Sequence, residues 1–151
     1  MPQNVMDVME QEETADLILH AGDLEGHEDE IRKMIGGCPF EAVRGNCDFR
    51  SPFPKETMVE VAGHMIFITH GHLYDVNFGV EDLAEMARGC GADIAVYGHT
   101  HVPFMERKED GLLILNPGSL SRPRQPGRER TYMVLEVNSD NDKFAVELKS
   151  I

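Results

Sequence analysis

Residues 94–101 read Ile-Ala-Val-Tyr-Gly-His-Thr-His, a short apolar run that ends in a glycine and two histidines. Uninterrupted apolar runs of this length are typical of strands that are buried on both faces of a sheet. The pattern occurs three more times, at residues 17–21 before Gly22-Asp23, at residues 42–44 before Gly45-Asn46-Cys47-Asp48, and at residues 66–69 before His70-Gly71-His72. The sequence therefore predicts buried strands whose ends carry its chemistry.

The segments around these runs indicate the fold class. Apolar residues at helical spacing predict helices over residues 2–13, 28–35 and 80–88. The early part of the chain alternates helices with strands, whereas the part from residue 104 onward is mostly β-structure. We therefore predict an α/β fold with four layers, α/β/β/α, in which two mixed sheets are flanked by helices. No linker divides the chain, so residues 1–151 are predicted to form a single domain.

Composition excludes several classes of partner. The 151 residues include 27 acids and 14 Lys or Arg, which gives a net charge of −13, and the first 30 residues hold ten acids without a base. Such a chain is not expected to bind nucleic acid, because neutralised phosphates drive that binding. Its apolar runs are too short to predict a membrane segment. The three cysteines lack CxxC spacing, which predicts no disulfide framework and favours the cytoplasm.

The polar residues after the four apolar runs form a candidate metal site. Ligands collect beyond the carboxyl ends of strands in α/β sheets, so one rim is expected to gather Asp23, Asn46, His70, His99 and His101. Oxygen and imidazole donors without a thiolate suit Mn, Fe, Ni or Zn. Each motif alone has an ordinary explanation, such as a turn or a packed histidine. All four motifs in this order favour a metal site.

The four motifs together resemble the signature of the calcineurin-like metallophosphoesterase superfamily, and Asn116-Pro117-Gly118-Ser119 resembles its small prokaryotic phosphodiesterase branch. The resemblance covers residues 5 to about 150 and implies two facing sheets flanked by helices. It also implies two divalent metal ions, Mn before Ni, Fe or Zn, which Asp23 would bridge. The ligands that it implies are Asn46, His70 and His99 on one ion and His101 on the other.

The resemblance implies an activity as well. The reaction would be hydrolysis of a small phosphoester by a metal-bound hydroxide, with Asn46 also contacting the substrate. The protein would then be a metal-dependent phosphodiesterase, and a homo-oligomer is compatible with the resemblance. The alternatives are a catalytically impaired scaffold or interaction module of the same fold, or a metal-binding protein without turnover.

The sequence departs from the family at its start. The family's first motif, Asp-x-His at the end of an opening strand, has no counterpart here. Asp23 and His101 alone are few ligands for a second ion, so that site is predicted to be under-liganded. Our hypothesis is that the opening strand is missing because Met1 is an internal methionine of a longer protein, which would make this domain truncated at its N-terminus.

The group that protonates the leaving oxygen is not identified by the sequence. Many superfamily members carry a histidine where this chain has Cys47, which we interpret as a packing residue. His72 and Asp48 are the candidates, and each could instead orient a metal ligand. Four arginines in a loop could grip a substrate phosphate, with a solvated loop or a subunit contact as alternatives: Arg122, Arg124, Arg128 and Arg130.

Overall fold

The computed structural model describes residues 2–151, which form three α-helices and nine strands. The helices are α1 (Pro2–Gln11), α2 (Glu28–Met34) and α3 (Glu81–Gly89), and a 3-10 turn spans His72–Tyr74. The strands are β1 (Ile18–His20), β2 (Phe40–Ala42), β3 (Glu56–Val61), β4 (His64–Thr69), β5 (Ile94–Val96), β6 (Phe104–Arg107), β7 (Leu113–Asn116), β8 (Thr131–Glu136) and β9 (Ala145–Ser150). The three predicted helices are confirmed, although the one predicted over residues 2–13 ends at Gln11, a difference within the usual fraying of a helix end.

A five-stranded mixed sheet forms the centre of the fold, with strand order β3-β4-β5-β7-β6. Strands β4, β5 and β7 are parallel, and β3 and β6 pair antiparallel at the two edges. Alternate side chains of a strand point to opposite faces, so Ile66 and Ile68 pack on one side and Phe67 on the other. Both faces are covered, which explains why the central residues of the parallel strands are apolar.

Each face of the central sheet packs against a different layer. Helix α3 covers one face through Leu83, Ala84 and Ala87. The opposite face contacts the parallel pair β1-β2 and the antiparallel pair β8-β9, through side chains such as Leu19 and Met133. Helices α1 and α2 pack outside the β1-β2 pair.

The predicted α/β/β/α layering is confirmed, with one difference in its second β-layer. That layer consists of two separate two-stranded pairs, and no strand pairing joins β1-β2 to β8-β9 within the described residues. The strands β1, β2, β4 and β5 each run into a loop that carries one of the four motifs. Across residues 2–151, no helix combines the length and the apolar character that crossing a bilayer requires.

Candidate metal centre

Four of the five predicted ligands lie in direct contact. Asp23 Oδ2 is 3.2 Å from His70 Nε2. Asn46 Oδ1 is 2.9 Å from His70 Nε2 and 3.1 Å from His99 Nδ1, and these two imidazole nitrogens are 3.2 Å apart. The loops after β1, β2, β4 and β5 therefore converge, as the sequence predicted. We call this group the four-donor cluster: Asp23, Asn46, His70 and His99.

The donor atoms of the four-donor cluster are chemically suited to a cation. His70 Nδ1–H donates to the Ala21 carbonyl at 2.7 Å, and the opposite ring nitrogen, Nε2, faces the oxygens of Asp23 and Asn46. Lone pairs that face one another need a proton or a metal ion between them. A tetrahedral ion with bonds of about 2.0–2.2 Å holds its ligand atoms roughly 3.3–3.6 Å apart.

The contacts between donor atoms in the four-donor cluster, 2.9–3.2 Å, are slightly shorter than the distances between the ligands of a tetrahedral ion. Among residues 2–151, no three His, Cys, Asp or Glu side chains already surround one point at bonding distance. The side chains of the cluster would have to move slightly apart to admit an ion. The residues present fit a divalent metal ion by donor type, and an ion would require the side chains to separate.

The backbone at the rim is strained where the chemistry lies. Asp23, His99 and His101 have φ angles of 60°, 66° and 59°, in the left-handed region that residues other than glycine seldom adopt. Such conformations cluster at functional sites. Close approach also requires the glycine of the second motif, because a Cβ on Gly45 would collide with the Asp23 carboxylate.

Local electrostatics keep the donors in the forms that bind cations. Burial alone raises the pKa of Asp23, but hydrogen bonds from His70 and from the Cys47 N–H, 3.0 Å from Oδ1, lower it to about 2. Burial lowers the pKa of His99, and the charges of neighbouring histidines add to this effect. Near neutral pH, the Asp23 carboxylate is therefore charged and the His99 ring is neutral.

The fifth predicted ligand, His101, is held by the loop of residues 121–130, and we call its surroundings the His101 side. Its Nδ1–H donates to the Arg122 carbonyl at 2.8 Å, which leaves Nε2 free to bind a ligand. Burial lowers the pKa of His101; the hydrogen bond to Arg122 opposes this shift, and the charge of Arg124 adds to it. Within the described residues, His101 makes no hydrogen bond to the four-donor cluster.

His72, a candidate for proton transfer, lies against the four-donor cluster. Its ring centre is 5.3 Å from that of His70 and 6.0 Å from that of His99. The Nδ1 atom of His72 is buried and has no hydrogen-bond partner within residues 2–151. Burial lowers the pKa of this histidine. His72 thus has an uncommitted nitrogen next to the predicted ligands.

Asp48, the other candidate, is buried and committed to the backbone. Its carboxylate accepts hydrogen bonds from the N–H groups of Leu24 at 3.1 Å, Glu25 at 2.7 Å and Gly45 at 2.8 Å. These bonds tie the loop that carries Asp23 to the loop that carries Asn46. The arrangement is that of a positioning carboxylate.

Two residues outside the predicted ligand set also support the site. Asn116 is fully buried; its Nδ2 donates to the Gly98 carbonyl at 3.1 Å and to Thr100 Oγ1 at 2.9 Å, and so holds the loop with both histidines. A polar residue at the end of an apolar strand was the available signal. His20 Nδ1 accepts the Gly22 N–H at 3.2 Å, and burial lowers its pKa to about 4.

Comparison with protein families and curated proteins gives consistent matches. Residues 1–140 match the model of the calcineurin-like phosphoesterase superfamily domain. The "Probable metallophosphoesterase YsnB" of Bacillus subtilis strain 168 is 33% identical over 131 residues, which are 85% of this chain and 73% of that protein. Phosphodiesterase YfcE of Escherichia coli strain K12 is 37% identical over 113 residues, 70% of this chain and 54% of that protein.

Solved structures resemble the fold over almost the whole chain. A predicted phosphoesterase from Streptococcus pneumoniae TIGR4 has a TM-score of 0.83 and 32% identity, with 99% of this chain and 82% of that chain covered. Vps29 from Entamoeba histolytica, solved in complex with Zn²⁺, has a TM-score of 0.76 and 20% identity, with 96% and 88% covered. The second likeness concerns the fold alone.

Proposed function

The chain belongs to the calcineurin-like phosphoesterase superfamily, and from that premise we propose that it is a metal-dependent phosphodiesterase that hydrolyses a small phosphoester. The observation that carries the proposal is the four-donor cluster, in which one carboxylate, one amide oxygen and two imidazole nitrogens are linked by contacts of 2.9–3.2 Å. The similarity to phosphodiesterase YfcE supports the same reaction class.

We propose that two divalent ions bind at the rim. Asn46, His70 and His99 would hold one ion, His101 the other, and Asp23 would bridge the two. Mn is our first choice, with Ni, Fe or Zn as alternatives, because oxygen and imidazole donors accept all four. When bound, such ions lower the pKa of a coordinated water and neutralise charge on a phosphoryl group.

The remaining steps fall to side chains of this chain. The Asn46 amide nitrogen makes only a weak contact, 3.8 Å to Cys47 Sγ, so we assign it to donate to a phosphoryl oxygen. We assign proton transfer at the leaving oxygen to His72, because the Asp48 carboxylate already accepts three backbone N–H groups. His72→Gln should then slow esters with an alkyl leaving group more than p-nitrophenyl esters, which need little protonation. Equal slowing of both would contradict this role.

One experiment tests the proposed function: metal content is measured together with hydrolysis of bis-p-nitrophenyl phosphate in added Mn²⁺. For the 151-residue chain, we expect one well-filled metal position and weak activity, which His99→Ala removes. Equal turnover by wild type and by His99→Ala would remove the claim of an enzyme. Two fully occupied positions would show that groups not yet identified complete the second site.

The small number of ligands on the His101 side motivates a related proposal. Asp23 and His101 are the two protein ligands that we assign there, fewer than the three usual for a catalytic zinc. We propose that an Asp-x-His strand encoded upstream supplies the rest. The proposal predicts an open reading frame before Met1 and stronger hydrolysis by the extended chain. An in-frame stop codon immediately before Met1 would contradict it.

A second function, that of a protein-interaction module, is favoured by a separate observation. Phe49 and Phe78 are 90% and 93% exposed, and both lie in loops close in sequence to predicted ligands. The fold is also similar to that of Vps29. The intact four-donor cluster favours catalysis over this alternative. A chain that binds no metal and hydrolyses no ester would reverse that order.

The setting that we propose for the enzyme is the cytoplasm. Cys38, Cys47 and Cys90 are all free thiols, which suits a reducing compartment. The net charge of −13 argues for small substrates over nucleic acid.

A further inference from the structure

The loop formed by residues 121–130 contrasts in charge with the rest of the chain. It carries four arginines and one acid in a protein whose net charge is −13. It lines a cleft of about 470 Å³, whose walls are Ser121, Arg122, Pro123, Arg124 and Arg128. A cleft of this size is large enough for a small ligand.

This cleft adjoins the His101 side of the metal centre. The Arg122 carbonyl accepts from His101 Nδ1 at 2.8 Å, and the Arg124 N–H donates to the His101 carbonyl at 3.0 Å. Two hydrogen bonds to the same residue place the wall of the cleft directly beside a predicted metal ligand.

The base of the loop is closed by further hydrogen bonds. Ser119 Oγ accepts the N–H groups of Ser121 at 3.2 Å and Arg122 at 2.9 Å. The Thr131 N–H donates to the Ser119 carbonyl at 3.2 Å. The arginines at the rim are therefore presented by an organised loop.

The four arginines differ in their partners. Arg122 forms an ion pair with Glu25 at 3.2 Å, and Arg130 Nη1 donates to Asn4 Oδ1 at 3.4 Å. Arg124 and Arg128 have exposed side chains and no carboxylate partner within residues 2–151. Acids outnumber bases 27 to 14 in this chain, so two arginines without an acid in one cleft leave a local positive charge for an anion from outside.

We propose that this cleft binds a second anionic group of the substrate, a phosphate separate from the ester that is hydrolysed, with Arg124 and Arg128 as its ligands. The inference rests on the proposed function and deepens it. The substrate class becomes a small phosphodiester that carries an additional phosphomonoester. Arginine is suited to this role because its planar guanidinium binds phosphate through two parallel hydrogen bonds. The acidic first part of the chain disfavours longer polyanions.

A matched pair of esters tests the proposal: thymidine 5′-(p-nitrophenyl phosphate) with and without a 3′-phosphate. We expect wild type to prefer the 3′-phosphorylated ester by about ten-fold in kcat/KM. The double variant Arg124→Ala/Arg128→Ala should reduce that ratio to near one. Lys143→Ala, which removes one exposed charge in the hairpin between β8 and β9, should leave the ratio as in wild type. If Lys143→Ala also loses the preference for the 3′-phosphorylated ester, the preference depends on net charge and the proposal is wrong.

Calorimetry separates failure of this proposal from failure of the proposed function. Thymidine 3′,5′-bisphosphate should bind wild type about ten-fold more tightly than thymidine 5′-monophosphate, and the double variant should bind both alike. If this difference in affinity is seen while neither ester is hydrolysed, the proposal that the cleft binds a phosphate is supported and the proposed phosphodiesterase function is wrong. If wild type binds the two nucleotides with equal affinity and hydrolyses the two esters with equal kcat/KM, the proposal that the cleft binds a phosphate is wrong.

Discussion

The four-donor cluster and the His101 side share one rim but differ in how completely the protein fills them. In the cluster, each donor atom lies 2.9–3.2 Å from at least one other donor, and loop contacts orient His70 and Asp23. On the His101 side, one imidazole is oriented by the carbonyl of Arg122, a residue that lines the basic cleft.

This difference indicates a division of labour. A metal position with many protein ligands holds its ion tightly, whereas one with few leaves room for water and substrate. The cluster is therefore expected to hold the first ion. The His101 side is expected to hold a second ion weakly, next to the place where the substrate lies.

Removing a ligand from the cluster should have the largest effect. His70→Ala deletes the side chain that contacts both Asp23 and Asn46, and we expect Mn²⁺ affinity to fall by more than about 100-fold, with hydrolysis lost. Calorimetry and the bis-p-nitrophenyl phosphate assay measure both. His27→Ala, which removes a histidine outside the four-donor cluster whose Nδ1 lies 3.5 Å from Glu30 Oε1, is the matched control. Unchanged Mn²⁺ binding in His70→Ala would contradict the prediction that the four-donor cluster holds the first ion.

Removing the ligand on the other side should separate binding from catalysis. We expect His101→Ala to lower kcat by about 100-fold, while the affinity for the first Mn²⁺ stays within about three-fold of wild type. The reason is that His101 makes no hydrogen bond to the four-donor cluster among the described residues. If the first ion is lost from His101→Ala as readily as from His70→Ala, the two sides are a single unit.

Substitution of Asn116 should have a smaller effect, on both the four-donor cluster and the His101 side, because Asn116 holds the loop that carries His99 and His101. Asn116→Asp keeps the oxygen that accepts the Gly118 N–H at 2.9 Å but removes the two donors to the loop. We expect kcat/KM to fall by about 10- to 100-fold and the free energy of unfolding by about 1–3 kcal/mol. Activity assays and urea titration measure these. Wild-type activity would show that the loop keeps its shape without Asn116.

The sequence predicted the layers and the meeting of the motif loops because both follow from local patterns. Apolar runs identify buried strands, and the ends of parallel strands meet at one edge. The metal ligands and their roles stay predictions.

What the sequence did not predict depends on long-range packing. The Ala21 and Arg122 carbonyls that orient His70 and His101 are backbone atoms, for which no residue type is a signal. Asn116 acts on a loop 16 to 18 residues away in sequence. The division of the second β-layer into two pairs likewise depends on which strands lie side by side, which local patterns do not specify.

Acid should destabilise the folded chain through His20, which lies beside the four-donor cluster. Its Nδ1 accepts the N–H of Gly22, the residue next to Asp23. Burial lowers the pKa of His20 from its ordinary 6.5 to about 4, so between these values the unfolded chain takes up a proton that the folded chain does not. The free energy of unfolding should therefore be highest above pH 6.5 and fall as the pH drops to 4, by on the order of 3 kcal/mol from His20. His20→Asn retains an acceptor for Gly22 without a titrating ring, so its urea midpoint should fall less than that of wild type between pH 7 and 4.5. The lowered pKa of His99 acts in the same direction and should leave a residual slope in the variant. Parallel pH profiles for wild type and His20→Asn would show that the acid sensitivity arises elsewhere in the chain.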